Sequence, residues 1–226
     1  MNVLSDSVMN FSNAFVESEE RELREFFINT EDLLLKFLNF LEFWIQKKAS
    51  KKSVIFLIKA LSRIIKNVQD DEEEMAERQQ MLDRLNATRI FIVLIWDEKN
   101  DDNEYLFHLF KFMGWLLLGG NPVGQKTIYE FFISNSASEK FFRKANDLIL
   151  KEIATMNSSS RRTMNISKEI SQLGMKLLRL LQLFCEGHNL DLQNYLRYQT
   201  HSKNNYDLIL LTTKLLSSYK INDTNF

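Results

Sequence analysis

The sequence predicts an all-α fold, with antiparallel helices stacked as in an armadillo- or HEAT-like solenoid. Three observations lead there. Six glycines and a single proline among 226 residues leave few breakers and favour long helices over many tight turns. Apolar residues recur at steps of three and four through most of the chain. Successive helix pairs of roughly 40 residues fit a solenoid repeat, although no strict sequence repeat is visible.

The elements follow in order. Residues 1–17 are polar and read as a frayed tail. From Ser18 to about Lys48 the pattern is helical. Leu33, Leu34, Phe37, Leu38, Leu41 and Ile45 form one stripe, and Phe40, Phe43 and Trp44 widen it, so this helix is expected to be buried on most sides. Lys47–Lys52, KKASKK, is a polar break whose lysines suit a helix C-terminus. A second helix spans about Ser53 to Asn67. Asp70 with Glu73 three residues later resembles a capping box and opens a third. That helix carries Met75, Met81, Leu82 and Leu85 toward the apolar run Ile90–Trp96, IFIVLIW. Asp97–Glu104 reads as a solvated loop. A helix from Tyr105 to Leu118 ends at Gly119-Gly120-Asn121, and the chain restarts as a helix after Pro122, the expected order of glycine at an end and proline at a start. Further helices are expected over about 127–133, 136–156, 166–186, 190–199 and 206–219, with Asn157–Arg162 as the most linker-like segment.

Bulk composition narrows the function classes. The chain is 45% hydrophobic, ample for one domain or two small ones. A net charge of -1 gives no global electrostatic argument for nucleic acid or an anionic membrane. The single cysteine, Cys185, excludes an intrachain disulfide framework and fits a reducing, cytoplasmic compartment. The first residues lack the basic start and apolar core of a signal peptide. No apolar run approaches the roughly 20 residues that span a bilayer, so no pore is expected.

Few residues offer chemistry. Gly119–Thr127 reads GGNPVGQKT, but Gln125 separates Gly124 from Lys126 where a phosphate loop needs Gly-Lys-Ser/Thr, and no strand precedes it; a helix–turn–helix corner is the better reading. Cys185 and His188 stand three apart and could share a helix face. With one cysteine and three histidines the four ligands of a structural zinc site are lacking, and Cys185 reads as a small packing residue. The acidic 97–104 stretch fails the EF-hand pattern. Lys47–Lys52 and Arg143-Lys144 are basic clusters too short for a nucleic-acid interface. Glu186 lies on the helix side opposite Leu177 and one turn from Gln182. With Leu177, Leu181 and Phe184 packed inward, it points out of its own layer, as a surface glutamate does. No spacing demands an enzyme.

Two ordered blocks carry a more specific signal: LLLGGNPVGQKTIYEFFISNSASEKFF, Leu116–Phe142, and LLRLLQLFCEGHNLDLQNYLRYQ, Leu177–Gln199. With KNNYDLI at Lys203–Ile209 they resemble the cytosolic helical region of intracellular calcium-release channels, the inositol trisphosphate and ryanodine receptors, nearest the former. The likeness is strong from about Met81 to Ile209 and weaker from Glu31 to Gln80. At Gly187 the inositol trisphosphate receptors usually carry Asn, and the glycine is similar to the ryanodine receptor form.

The resemblance implies a cytosolic α-solenoid between a ligand-binding region and a membrane pore. In domain terms it implies a receptor-homology domain over 18–156, a linker over 157–163 and the start of the associated helical domain over 164–226. It further implies that Glu186 is a calcium ligand and His188 its supporting neighbour. The family's other calcium ligands lie outside this sequence, so calcium is expected to bind only weakly to the isolated chain. Gly187 permits φ > 0 and is expected to end the helix there. The implied partners are other parts or subunits of a tetrameric calcium-release channel, at the cytosolic face of the endoplasmic reticulum. A stand-alone helical scaffold for a protein partner is the alternative.

Overall fold

A computed structural model describes residues 31–46, 51–97, 102–157 and 164–223. The tail 1–17, the break at 47–50, the centre of the acidic loop and most of the 157–163 linker expected from the sequence lie outside the described residues. Those described are all-α, ten α-helices with two short 3-10 turns and no strand. The helices pack against one another, as a stack of helices requires. Contacts divide the chain into two compact units, 1–87 and 88–226.

In the first unit, α1 (Glu31–Gln46) packs on α2 (Lys51–Lys66), and α2 packs on α3 (Glu72–Arg84). Leu34, Leu38 and Leu41 of α1, the Val54–Ile65 stripe of α2 and Val68 just beyond it are buried. Phe43 corrects one expectation. It sits about half a turn from the Leu34–Leu38–Leu41 face at 100° per residue and is exposed, so it lies outside the buried stripe. The α3 N-cap is Asp71, one residue later than expected. Its carboxylate accepts the Glu74 N–H at 3.0 Å, and three glutamates follow in the first turn, where the helix dipole favours them. Buried Arg78 is matched by Glu74 at 2.7 Å. The chain leaves α3 through Asn86, whose φ of 71° breaks the helix. Asparagine tolerates this left-handed conformation better than most residues.

The second unit opens with α4 (Ala87–Trp96), every side chain of which from Ile90 to Trp96 is buried except Val93. It continues with α5 (Asn103–Leu116), α6 (Pro122–Ser134), a 3-10 turn (Ser136–Ser138), α7 (Glu139–Asn157), α8 (Met164–Cys185), a second 3-10 turn (Glu186–His188), α9 (Leu190–Arg197) and α10 (Leu208–Asp223). The dominant contacts join α5 to α8 and α7 to α10, and α7 also packs on α8 across the expected linker.

At the centre sits an aromatic cluster. Phe132 of α6 meets Phe141 and Phe142 of α7 with ring centroids 5.1 and 5.0 Å away, Phe184 of α8 at 6.1 Å and Tyr195 of α9 at 6.1 Å. The Tyr195 hydroxyl donates to the Phe132 carbonyl at 3.3 Å. Edge-to-face and stacked pairs at these separations stabilise beyond area burial alone.

Because Phe132 is fully buried and touches three other helices, Phe132→Ala should destabilise the second unit by about 3–5 kcal/mol. Urea unfolding followed by near-ultraviolet circular dichroism would measure it.

Candidate functional site

The site is a corner at which the two unusual sequence blocks meet. On one side, α5 ends and α6 begins within five residues. Gly119 and Gly120 take φ of 77° and 72°, a left-handed pair that side chains with a Cβ resist. Asn121 then caps both helices. Its Oδ1 accepts the Val123 N–H at 3.1 Å, and its Nδ2 donates to the Leu116 carbonyl at 3.0 Å. Pro122 occupies the first turn of α6, where its missing N–H is no loss. The corner is thus a helix–turn–helix junction, and Lys126 points into solvent, 3.8 Å from Glu130.

On the other side, α8 ends at Cys185. Gly187 has φ of 70° and His188 φ of 61°, so Cys185 and His188 do not share a helix face as their spacing allowed. The chain turns out of the helix between them. Asn189 caps α9 by accepting the Leu192 N–H at 3.0 Å, and Gln193 donates back to the Cys185 carbonyl at 3.2 Å.

Gln125 joins the two sides. It is 2% exposed and sits in the second turn of α6. Its Nε2 donates to the Leu183 carbonyl at 2.9 Å and to the Glu186 carbonyl at 2.8 Å, while its Oε1 accepts from Asn189 Nδ2 at 3.1 Å. Carbonyls at a helix end have no partner within the helix, and this one amide satisfies two of them in a buried position. Gly120 lies directly against the turn: a Cβ there would sit 3.4 Å from the Glu186 carbonyl carbon and from its Cγ.

Glu186 is therefore fixed by its backbone while its side chain projects outward. The side chain is 35% exposed, with Oε2 3.8 Å from the Arg179 guanidinium. Oε2 itself is buried and accepts no hydrogen bond. Arg179 bonds instead to Gln182 at 2.8 Å. An ion pair this long and this exposed holds the carboxylate only loosely. His188 is exposed, and its ring makes no hydrogen bond to Glu186. Burial pushes the Cys185 thiol pKa up, an effect that nearby Arg197 partly offsets, and this keeps the thiol protonated and a weak nucleophile. Among the described residues no group of three or more His, Cys, Asp or Glu side chains gathers as a metal site would require. One carboxylate falls well short of the six to eight oxygens around calcium.

The third motif stretch closes on both others. Asn204 Nδ2 and the Lys203 N–H donate to the Glu139 carboxylate at 2.6 and 3.2 Å, and the Asn204 bond is the main reason the Glu139 pKa lies below its usual value. Buried Gln199 shapes the loop between: its Oε1 accepts the Tyr206 N–H at 2.7 Å, and its Nε2 donates to the Tyr195 carbonyl at 2.6 Å.

The sequence reading singled out Glu186, Gly187 and His188 but missed the residues that hold this turn in place. Gln125 was visible only as the residue that spoils a phosphate loop, and Arg179 not at all. The one signal for Gln125 was its place inside the first unusual block.

A family of sequences described as "RyR and IP3R Homology associated" matches residues 167–226, covering α8 from near its start, the Glu186 turn, α9 and α10. This segment, about a quarter of the chain, is similar to that family, in which the ryanodine and inositol trisphosphate receptor types are taken together. Among the described residues no helix is long and apolar enough to cross a membrane.

Gln125→Leu keeps the side-chain bulk but strips a donor from two carbonyls and an acceptor from Asn189. We expect it to cost the second unit about 2–4 kcal/mol, since each orphaned buried group costs about 1–3 kcal/mol. Lys126→Leu, next door and exposed, should be near neutral in the same denaturation experiment.

Proposed function

We propose that this chain is a cytosolic regulatory or coupling module of an intracellular calcium-release channel, nearer the inositol trisphosphate receptor than the ryanodine receptor. In this reading it works at the cytosolic face of the endoplasmic reticulum, as part of a tetrameric assembly, and it catalyses no reaction. Residues 18–156 act as the receptor-homology domain and 164–226 as the start of the associated domain. Glu186 supplies one arm of an activating calcium site whose other ligands come from elsewhere in the assembly, and His188 orients that carboxylate once a cation is bound.

The observation that carries the reading is the pose of Glu186. A backbone clamped by Gln125 presents a carboxylate whose buried Oε2 accepts no hydrogen bond and has only a distant guanidinium for company. Such an oxygen lacks a partner that a hard cation could supply once the side chain turns toward it, and the surrounding corner would carry any shift of that cation into α6 and α8. A helical scaffold for a protein partner is the second reading, favoured by the exposed apolar side chains of Leu190, Tyr198, Leu210 and Leu216.

Calcium titration by calorimetry tests the site. The isolated chain should bind calcium weakly, in the range of about 1 mM or above expected of so few ligands, and Glu186→Gln should abolish what binding there is. Within an assembled channel the same substitution should shift calcium activation to higher concentration without preventing assembly. Tight stoichiometric binding that survives Glu186→Ala would sink the assignment. Co-purification with soluble proteins only, and never with a membrane channel, would favour the scaffold.

A further inference from the structure

Beside Glu186 stands a cation that the proposed calcium site does not use. At 100° per residue, Arg179, Gln182 and Glu186 line one side of α8 and of the turn that ends it. Arg179 Nη1 donates to Gln182 Oε1 at 2.8 Å. The same nitrogen stands 3.8 Å from Glu186 Oε2, beyond hydrogen-bond reach. Gln182 thus holds the guanidinium off the carboxylate, and Oε2 stays buried with no hydrogen bond.

Both partners are confined. A Cβ on Gly120 would lie 3.4 Å from Glu186 Cγ and 3.5 Å from its Cβ, so the corner between α5 and α6 closes one side of the Glu186 stem. The Arg179 side chain lines a groove of about 150 Å³ between α5 and α8, with Gly114, Leu118 and Leu183. Lys176 lines the same groove, its Nζ 5.7 Å from the centroid of the Phe107 ring. A second cation makes that side the less favourable one for the guanidinium, which is left facing Glu186. Two effects of unequal size follow from this placement. Toward the carboxylate alone, a half-exposed pair at 3.8 Å contributes little. Toward a cation on Oε2, the guanidinium is a like charge a few ångströms away, and the repulsion grows in proportion to the cation's charge.

We propose that Arg179 is a built-in competitor of the cation at Glu186, so that its charge sets how much cation the site needs before it fills. This rests on Glu186 being the cation ligand proposed above. A cation reaching Oε2 must push the guanidinium aside or bind against its repulsion. Arg179 makes no bond to the ion and acts by its charge alone, with Gln182 keeping that charge in place.

Calcium and, separately, lanthanum are titrated into the full chain at about 150 mM salt, where charges within about 8 Å still act on one another. The backbone amide resonances of Glu186, Gly187 and His188 report binding. Arg179→Met removes the charge and keeps most of the stem. It should tighten calcium binding by about three- to tenfold, and lanthanum binding by a larger factor because that ion carries one more charge. Arg179→Lys keeps the charge and should stay within about twofold of the natural chain. If Arg179→Met fails to fold, Arg179→Gln serves the same comparison. No gain in Arg179→Met, the same gain for both cations, or an equal gain in Arg179→Lys would overturn the competition, while loss of binding in Glu186→Gln keeps Glu186 as a ligand. Binding that survives Glu186→Gln unchanged would overturn the role of Glu186 itself, and the proposal with it. The absence of any saturable shift at these amides in Arg179→Met, with either cation, would also overturn the proposal.

Discussion

The Gln125 side chain is the contact on which the rest of the corner depends. Three hydrogen bonds join one buried amide to Leu183, Glu186 and Asn189, and they do two different jobs. The first two supply donors to carbonyls that the end of α8 leaves unmatched. The third orients the side chain that caps α9. A buried amide with both ends satisfied rigidifies its surroundings, whereas the same amide half-satisfied would be a liability. Gly120 completes the arrangement: its φ of 72° favours glycine, and a Cβ there would lie in close contact, 3.4 Å, with the Glu186 turn.

This constraint explains why two blocks so far apart in sequence are both unusual. Each is half of one structure. The first contributes the Gly119-Gly120 turn, the Asn121 double cap, Gln125 and Phe132. The second contributes Phe184, the Glu186–Asn189 turn and Tyr195. Phe141 and Phe142 of the first block sit in the same aromatic cluster, and Glu139 reaches Lys203 and Asn204 in the third. Apolar packing sets the stability of this centre, and the polar contacts set its register, as buried polar groups can when every member is paired. The family match begins only at residue 167, yet the residues that fix its first turn come from α6, well before it.

Much of this was legible beforehand. The all-α class, the corner at Pro122 and the helix end at Gly187 follow from breaker content, capping rules and the freedom of glycine at positive φ. Boundaries shifted by a residue or two, as with Asp71 replacing Asp70 at a cap, because neighbouring carboxylates compete for the same N–H group and local sequence cannot choose between them. The exposure of Phe43 was misread because adjacency in sequence was allowed to outweigh its angle around α1. Gln125 and Arg179 were not legible. Their roles arise from α6 meeting α8 and from a side chain one and a half to two turns back along α8. Such juxtapositions have no local sequence signature.

The functional reading turns on whether the corner positions Glu186 or merely neighbours it. Amide hydrogen exchange on the intact chain separates the two most directly, comparing the natural sequence with Gln125→Leu under conditions where both remain folded. If Gln125 holds the turn, the amides from Glu186 to Leu192 should lose protection by about ten- to a hundredfold, equivalent to about 1.4–2.7 kcal/mol of local opening, while those in the middle of α7 and α10 keep theirs. Unchanged protection at 186–192, or a uniform loss across all helices, would contradict the claim that this one side chain sets the pose of Glu186.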